Sequence, residues 1–196
     1  MRCFVACWPD ESTRSHLDQV ARGALGHYPE ARRVRPQNLH LTLAFIGELA
    51  LPRAREAAVA LSGVSSEPFE WHIDHIGRFG RARVLWAGGP PQPRLSQLAE
   101  QVRGQLQALQ IRFDSKPFAA HVTLLRDVPA GRSTGSSEVV EPIEPFIWPI
   151  HDARLLVSER DSDGATCYRA LDPSSRSSTR GLDPSSRNAT RGLDPK

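Results

Sequence analysis

One short pattern occurs twice in this chain. Asn38-Leu39-His40-Leu41-Thr42-Leu43 is echoed by Ala119-Ala120-His121-Val122-Thr123-Leu124. Each copy is His-apolar-Thr-Leu within a run of strand-forming residues. On a strand, residues i and i+2 share a face. His40 and Thr42 therefore point one way, and Leu41 and Leu43 point into a core. His121 and Thr123 divide from Val122 and Leu124 in the same manner. Such a duplication predicts two related halves, each presenting an imidazole and a hydroxyl on the open face of a sheet. That set of groups suits phosphoryl chemistry. A neutral histidine can take a proton from the attacking group, and a protonated one can give a proton to the departing alkoxide. Each threonine hydroxyl can donate to a phosphoryl oxygen, where charge accumulates. One copy alone would signify little. Two copies, both followed by Leu and both on strands, are hard to attribute to chance.

The rest of the chain alternates between helical and strand periods up to Leu171. Residues 12–25 put Leu17, Val20, Ala21, Ala24 and Leu25 on one helical face, with Ser12 or Thr13 as the expected cap. Residues 53–62 and 94–109 repeat the helical spacing. Strands are expected at Arg2–Trp8, Leu39–Ile46, Phe69–Asp74, Arg83–Ala87 and His121–Leu125. Pro142 to Ile150 is interrupted by prolines and reads as an edge strand or a loop. Arg154–Ser158 and Cys167–Leu171 read as a hairpin around Asp161-Ser162-Asp163-Gly164. Strands with one polar face, interleaved with helices, predict an α+β protein with antiparallel sheets covered on one side.

The domain is expected to span residues 1–171. Beyond it, Leu171-Asp-Pro-Ser-Ser-Arg recurs at Leu182 and, in part, at Leu193. These residues have too little apolar surface to offset the entropy of ordering. Residues 172–196 are read as a disordered, vector-derived or read-through tail. The tail also carries most of the formal net charge of +3. A shell that is basic along the whole chain is thereby excluded, and an acidic ligand must be held by a few placed groups. Those groups are arginines, since Lys116 and Lys196 are the only lysines. Cys3, Cys7 and Cys167 lack paired spacing and read as ordinary thiols. The apolar run Cys3–Trp8 is too short for a signal peptide, so a cytoplasmic location is expected.

With these residues in view, the chain resembles the 2H phosphoesterases. Within them it is most similar to the RNA 2′,3′-cyclic phosphodiesterases, also called 2′–5′ RNA ligase-like proteins. The likeness runs through Arg2–Glu11, Val34–Glu48, Gly77-Arg78-Phe79, Val84–Gly88 and Lys116–Arg126. It departs at Ala120, where the family commonly has Pro. The resemblance implies two pseudo-symmetric lobes, each an antiparallel sheet with helices on its outer face, and an active-site cleft between them. It implies that His40 is the proton donor and His121 the proton acceptor, with Thr42 and Thr123 beside them. The symmetry of the sequence does not itself assign those two roles. Arg126 is the candidate substrate-binding residue. No metal and no cofactor are implied. The expected partners are RNA ends with a 2′,3′-cyclic phosphate, tRNA fragments among them, with no membrane and a monomeric chain.

Other residues receive plainer readings. By two-residue steps from His40, Phe45 falls among the inward positions and reads as core. Trp71 and Trp86 also read as core. His72 and His75 are three apart on a strand and do not make a metal clamp. Arg78, Arg81 and Arg83 are either a solvated turn or a track for an RNA backbone. Three other functions compete with hydrolysis of RNA ends. One is a phosphodiesterase on small cyclic phosphates or 2′–5′ oligonucleotides. Another is a non-catalytic RNA-binding module, which would not require two histidines. The third is a metal hydrolase, for which the ligands are missing.

Overall fold

The computed structural model describes residues 1–129 and 138–172. Nine strands follow in chain order: β1 (Arg2–Cys7), β2 (Arg32–Arg33), β3 (Leu41–Glu48), β4 (Ser65–Phe79), β5 (Val84–Gly88), β6 (Val122–Arg126), β7 (Glu138–Asp152), β8 (Arg154–Arg160) and β9 (Thr166–Ala170). Three helices lie between them: α1 (Glu11–His27), α2 (Leu51–Ser62) and α3 (Pro93–Ala108). The tail expected from residue 172 lies outside the described residues apart from Asp172.

The sheet order is β7-β4-β5-β6-β3-β1-β8-β9, with β2 paired to β6. Every neighbouring pair is antiparallel. The order reads outward from the centre as two matching series, β3-β1-β8-β9 and β6-β5-β4-β7. They meet at a single register pair, Leu41 with Val122. Each of these residues follows one of the paired histidines. The two expected lobes thus share one hydrogen-bonded sheet, pinched to a single bridge at the pseudo-twofold.

The helices cover the outer face. Helix α1 follows β1 yet packs against β6 and β7, and α3 follows β5 yet packs against β3. This exchange ties the lobes together. The apolar stripes Leu17, Ala21, Ala24 and Leu95, Leu98, Val102, Leu106 are buried against Leu41, Leu43, Val122 and Leu124. Each fully buried leucine is worth about 1.5–3 kcal/mol relative to exposure. Helix α1 is capped by Asp10, not by Ser12 or Thr13. The Asp10 carboxylate accepts from the Thr13 backbone N–H at 2.7 Å, while Glu11, Ser12 and Thr13 already form the first turn. That bond holds the Asp10 carboxyl below its ordinary range. The proline-interrupted segment is an edge strand, β7, where missing N–H groups cost no ladder bond. Strand β4 continues past Asp74 to Phe79, with register shifts that bend it. Among the described residues, no helix is long and apolar enough to cross a membrane.

Candidate active site

His40 and His121 hold equivalent posts, each one residue before its strand. His40 donates through Nδ1 to the carbonyl of Asn38 at 2.6 Å, and His121 donates through Nδ1 to the carbonyl of Ala119 at 2.8 Å. A carbonyl oxygen only accepts, so Nδ1 keeps its proton in either charge state. Nε2 is then the atom left to exchange protons. The alanine at 120 does not disturb this contact. Asn38 is itself buried, and its Nδ2 donates to the Thr166 carbonyl at 2.7 Å. That bond anchors the turn carrying His40 to β9.

The strands then proceed as their alternation predicts, for three residues. Leu41, Leu43, Val122 and Leu124 are buried, whereas Thr42 and Thr123 remain partly open on the histidine side. After that a bulge intervenes in both strands. Phe4 pairs with Phe45, Val5 with Ala44 and Ala6 with Thr42, so Leu43 has no partner on β1. Likewise Leu85 pairs with Leu125 and Trp86 with Thr123, so Leu124 has none on β5. Each bulge turns two consecutive residues inward and shifts the next to the open face. Phe45 is therefore not core. It is 38% exposed, with the Arg2 guanidinium 5.1 Å from its ring centre. Arg126, its counterpart in the other lobe, reaches the open face by the same device.

Aromatic rings surround both imidazoles. His40 lies against Phe4 at 4.9 Å, Tyr168 edge-on at 5.2 Å and Trp8 stacked at 6.0 Å. His121 meets Phe79 edge-on at 4.9 Å and Trp86 at 6.4 Å. Trp86 is buried as expected, yet it also supports the second histidine. Nothing in the sequence marks Phe4, Trp8 and Tyr168 as neighbours of His40. β1 is apolar at nearly every position, so periodicity could not separate its core face from its cleft face. The tilt of electrostatics is the same at both histidines. Burial pushes His40 down to about 4, its bond to Asn38 opposes this, and the charges of Arg126 and His121 add to it. Burial also lowers His121, the Ala119 bond opposes, and Arg126 again lowers it. Both imidazoles are neutral near pH 7 in the free protein, and the field of Arg126 reaches both.

Two cavities open at this place. The larger, of about 600 Å³, has His40, Thr123 and Arg126 in its wall and continues among arginines toward the β8–β9 hairpin. The other, of about 390 Å³, has His40, Thr42 and Arg126 in its wall together with Phe4, Phe45 and Tyr168. His40, Arg126, Thr166 and Tyr168 border both. Residues from the two motifs thus share one cleft.

The remaining candidates fall elsewhere. His72 is exposed, while His75 turns toward Asp74 and Trp86, so they do not converge. Among the described residues no cluster of His, Cys, Asp and Glu has the makings of a metal site. Arg78 donates to the Pro129 carbonyl, and Arg83 donates to the carbonyls of Val128 and Asp127. These two arginines brace the chain leaving β6, and Arg81 and Arg83 stand exposed on the turn at residues 80–83, as the solvated-turn reading expects. Burial pushes the Cys7 thiol up to about 12, which keeps it inert.

The support beneath His121 gives a first expected outcome. A Cβ at Gly77 would stand 2.0 Å from Cζ2 of Trp86, and the indole is buried on all sides. Gly77→Ala must displace that ring and with it the contacts to Phe79 and His121. A loss of about 1–3 kcal/mol in stability is expected from such overpacking, measured by denaturant melts. Turnover should fall as well, in a folded sample at low temperature.

His40, Thr42, Thr123 and Arg126 are in the walls of the two cavities, while His121 lies outside both linings at the matching post of the second lobe. A pseudo-symmetric antiparallel sheet with one His-x-Thr pair on each half is the arrangement of a 2H phosphoesterase. The chain belongs to the LigT like Phosphoesterase family, whose profile matches residues 8–86 and 89–164. It is 35% identical over 129 residues to an RNA 2′,3′-cyclic phosphodiesterase of Archaeoglobus fulgidus, covering 64% of this chain and 72% of that protein. It is 33% identical over 134 residues to the Escherichia coli K12 protein of the same name, covering 67% and 72%. Among solved structures it is similar to E. coli LigT complexed with 3′-AMP, with a TM-score of 0.72, 28% identity and coverage of 87% and 95%.

Proposed function

We propose that this protein hydrolyses RNA 2′,3′-cyclic phosphodiester ends to 2′-phosphomonoesters by two-histidine acid–base catalysis. The observation that carries this reading is the mirrored pair of imidazoles, each held through Nδ1 with Nε2 left for proton transfer. Its relatives named RNA 2′,3′-cyclic phosphodiesterase support the substrate class. In the reaction, His121 Nε2 takes a proton from water as the oxygen attacks phosphorus. His40 Nε2 gives its proton to the departing O3′. The 2′ oxygen keeps the phosphate. Thr42 and Thr123 donate to the non-bridging oxygens, and Arg126 offsets their growing charge. With a 5′-hydroxyl in place of water as the nucleophile, the same roles join a 2′–5′ linkage without ATP: His121 takes the 5′-hydroxyl proton, the P–O5′ bond forms, and O3′ leaves with a proton from His40.

The substrate supplies what the free site lacks. Both imidazoles start neutral, and one must be protonated to act as the acid. A bound phosphodiester anion favours the charged form and raises that imidazole's pKa. Base, acid and anion-stabilising groups are then complete without a metal ion. Turnover of a short RNA with a cyclic end is therefore expected to persist in excess EDTA. Loss of activity in EDTA, restored by zinc or manganese, would contradict the mechanism. Fragments of tRNA as natural substrates, and action by the monomer, belong to the same proposal.

A further inference from the structure

The larger cavity contains more cationic groups than one phosphate requires. It runs from His40 between the Arg32–Asn38 segment and the β8–β9 hairpin. Arg32 pairs with Asp127, Arg35 pairs with Asp161, and Arg33 shares Asp18 with Arg22, so each of these three guanidinium groups of the cavity has a carboxylate partner. Arg126 and Arg160 are different. Among the described residues, no carboxylate lies within ion-pair distance of either. Arg126 stands by the two histidines, where the scissile phosphate sits on the proposed reading. Arg160 donates one N–H to the Gly164 carbonyl at 2.8 Å and keeps its others for a ligand. The Arg35–Asp161 pair, at 2.6 Å, pins the hairpin against the opposite wall and holds Arg160 in place.

The two cavities overlap and differ in what is added to the shared wall. The smaller adds Phe4 and Phe45, beside Arg2, and these rings suit the flat face of a base. The larger adds Arg32, Arg33, Arg35 and Arg160, which suit phosphate oxygens. A nucleotide whose terminal phosphate lies at His40 and Arg126 can send its base one way and its backbone the other. We propose that Arg160 and the adjoining arginine basin form a subsite for the phosphate on the 5′ side of the terminal nucleotide. This rests on the proposed function. It makes the preferred substrate a strand end, or a 5′-phosphorylated nucleotide, over a nucleoside cyclic phosphate with a free 5′ hydroxyl. About 600 Å³ is room for such a ligand.

The test is calorimetric binding of two product-like ligands, adenosine 2′-phosphate and adenosine 2′,5′-bisphosphate, to the full chain. The 5′-phosphate is expected to tighten binding by about tenfold or more at about 0.15 M salt, and the advantage should shrink as salt rises. In Arg160→Gln the advantage should fall to about twofold or less, and Arg160→Lys should recover part of it. Equal affinities for the two ligands in the native protein would overturn the subsite. So would an advantage left whole in Arg160→Gln. Neither ligand needs to be turned over, so failure of the proposed reaction and failure of this subsite are read in separate experiments.

Discussion

His40→Ala and His121→Ala are each expected to lower turnover of a cyclic-phosphate end by at least about a hundredfold, and by as much as about 10⁴. The basis is their mirrored geometry. Each imidazole is fixed by one carbonyl, at 2.6 Å for His40 and 2.8 Å for His121, with the other nitrogen as its proton-transfer atom. Alanine removes that atom and leaves the strands intact, because Leu41, Leu43, Val122 and Leu124 carry the packing. Acid and base act in one transition state, so the double variant should be far less than multiplicatively worse. Binding of a 2′-phosphorylated product should survive in either single variant, since Arg126 and the threonines remain. Near-normal turnover in one of the single variants would remove that histidine from the mechanism.

The second large effect is on pH dependence. Burial lowers both imidazoles, His40 to about 4, against an ordinary value near about 6.5. The kcat/KM profile reports the free protein. It is expected to be bell-shaped with its optimum on the acid side of the ordinary histidine range, because the acid loses its proton early as pH rises. The kcat profile reports the complex, where the phosphodiester anion raises the protonated imidazole. Its alkaline limb should therefore lie at higher pH, which brings the optimum toward neutrality. The limbs belong to the coupled pair and not to one residue. A rate climbing through about pH 9 would remove histidine as the acid.

Stability follows from the same shift. Above about pH 6.5 His40 is neutral folded and unfolded, and it contributes no pH dependence. Between about 6.5 and about 4 the unfolded chain takes up the proton and the folded chain does not. Stability should thus fall as pH drops through that window, by up to about 3 kcal/mol from this group. His40→Gln cannot titrate and should show a flatter curve in denaturant melts across the same range.

Local alternation was enough to read the parity of His40, Thr42, His121 and Thr123, because it depends only on the strand's own period. It failed three residues later, at Phe45. A bulge is made by the partner strand as much as by the bulged one, and nothing in Leu43-Ala44 announces that β1 will skip a residue. Arg126 is a candidate from its place five residues after His121 and from the family resemblance, and a matching bulge in β6 explains how it reaches the cleft. The aromatic nest around His40 was hidden for a related reason. β1 is sheet-central, so both of its faces are apolar, and Phe4 looks like core until β8 and β9 bring Tyr168 beside it. The ends of helices were legible to within a turn. Asp10 caps α1 because its own backbone is extended while Glu11 is already helical. The second phosphate subsite was illegible, since Arg35, Arg126 and Arg160 meet only through long-range pairing.

The position of the phosphate on the product tests the account most directly. A short RNA ending in a 2′,3′-cyclic phosphate is incubated with the protein in EDTA, and the product is resolved into 2′- and 3′-phosphate ends. Attack in line with the P–O3′ bond, with His40 protonating O3′, predicts a 2′-phosphate. A 3′-phosphate product, or no product at all, would contradict it.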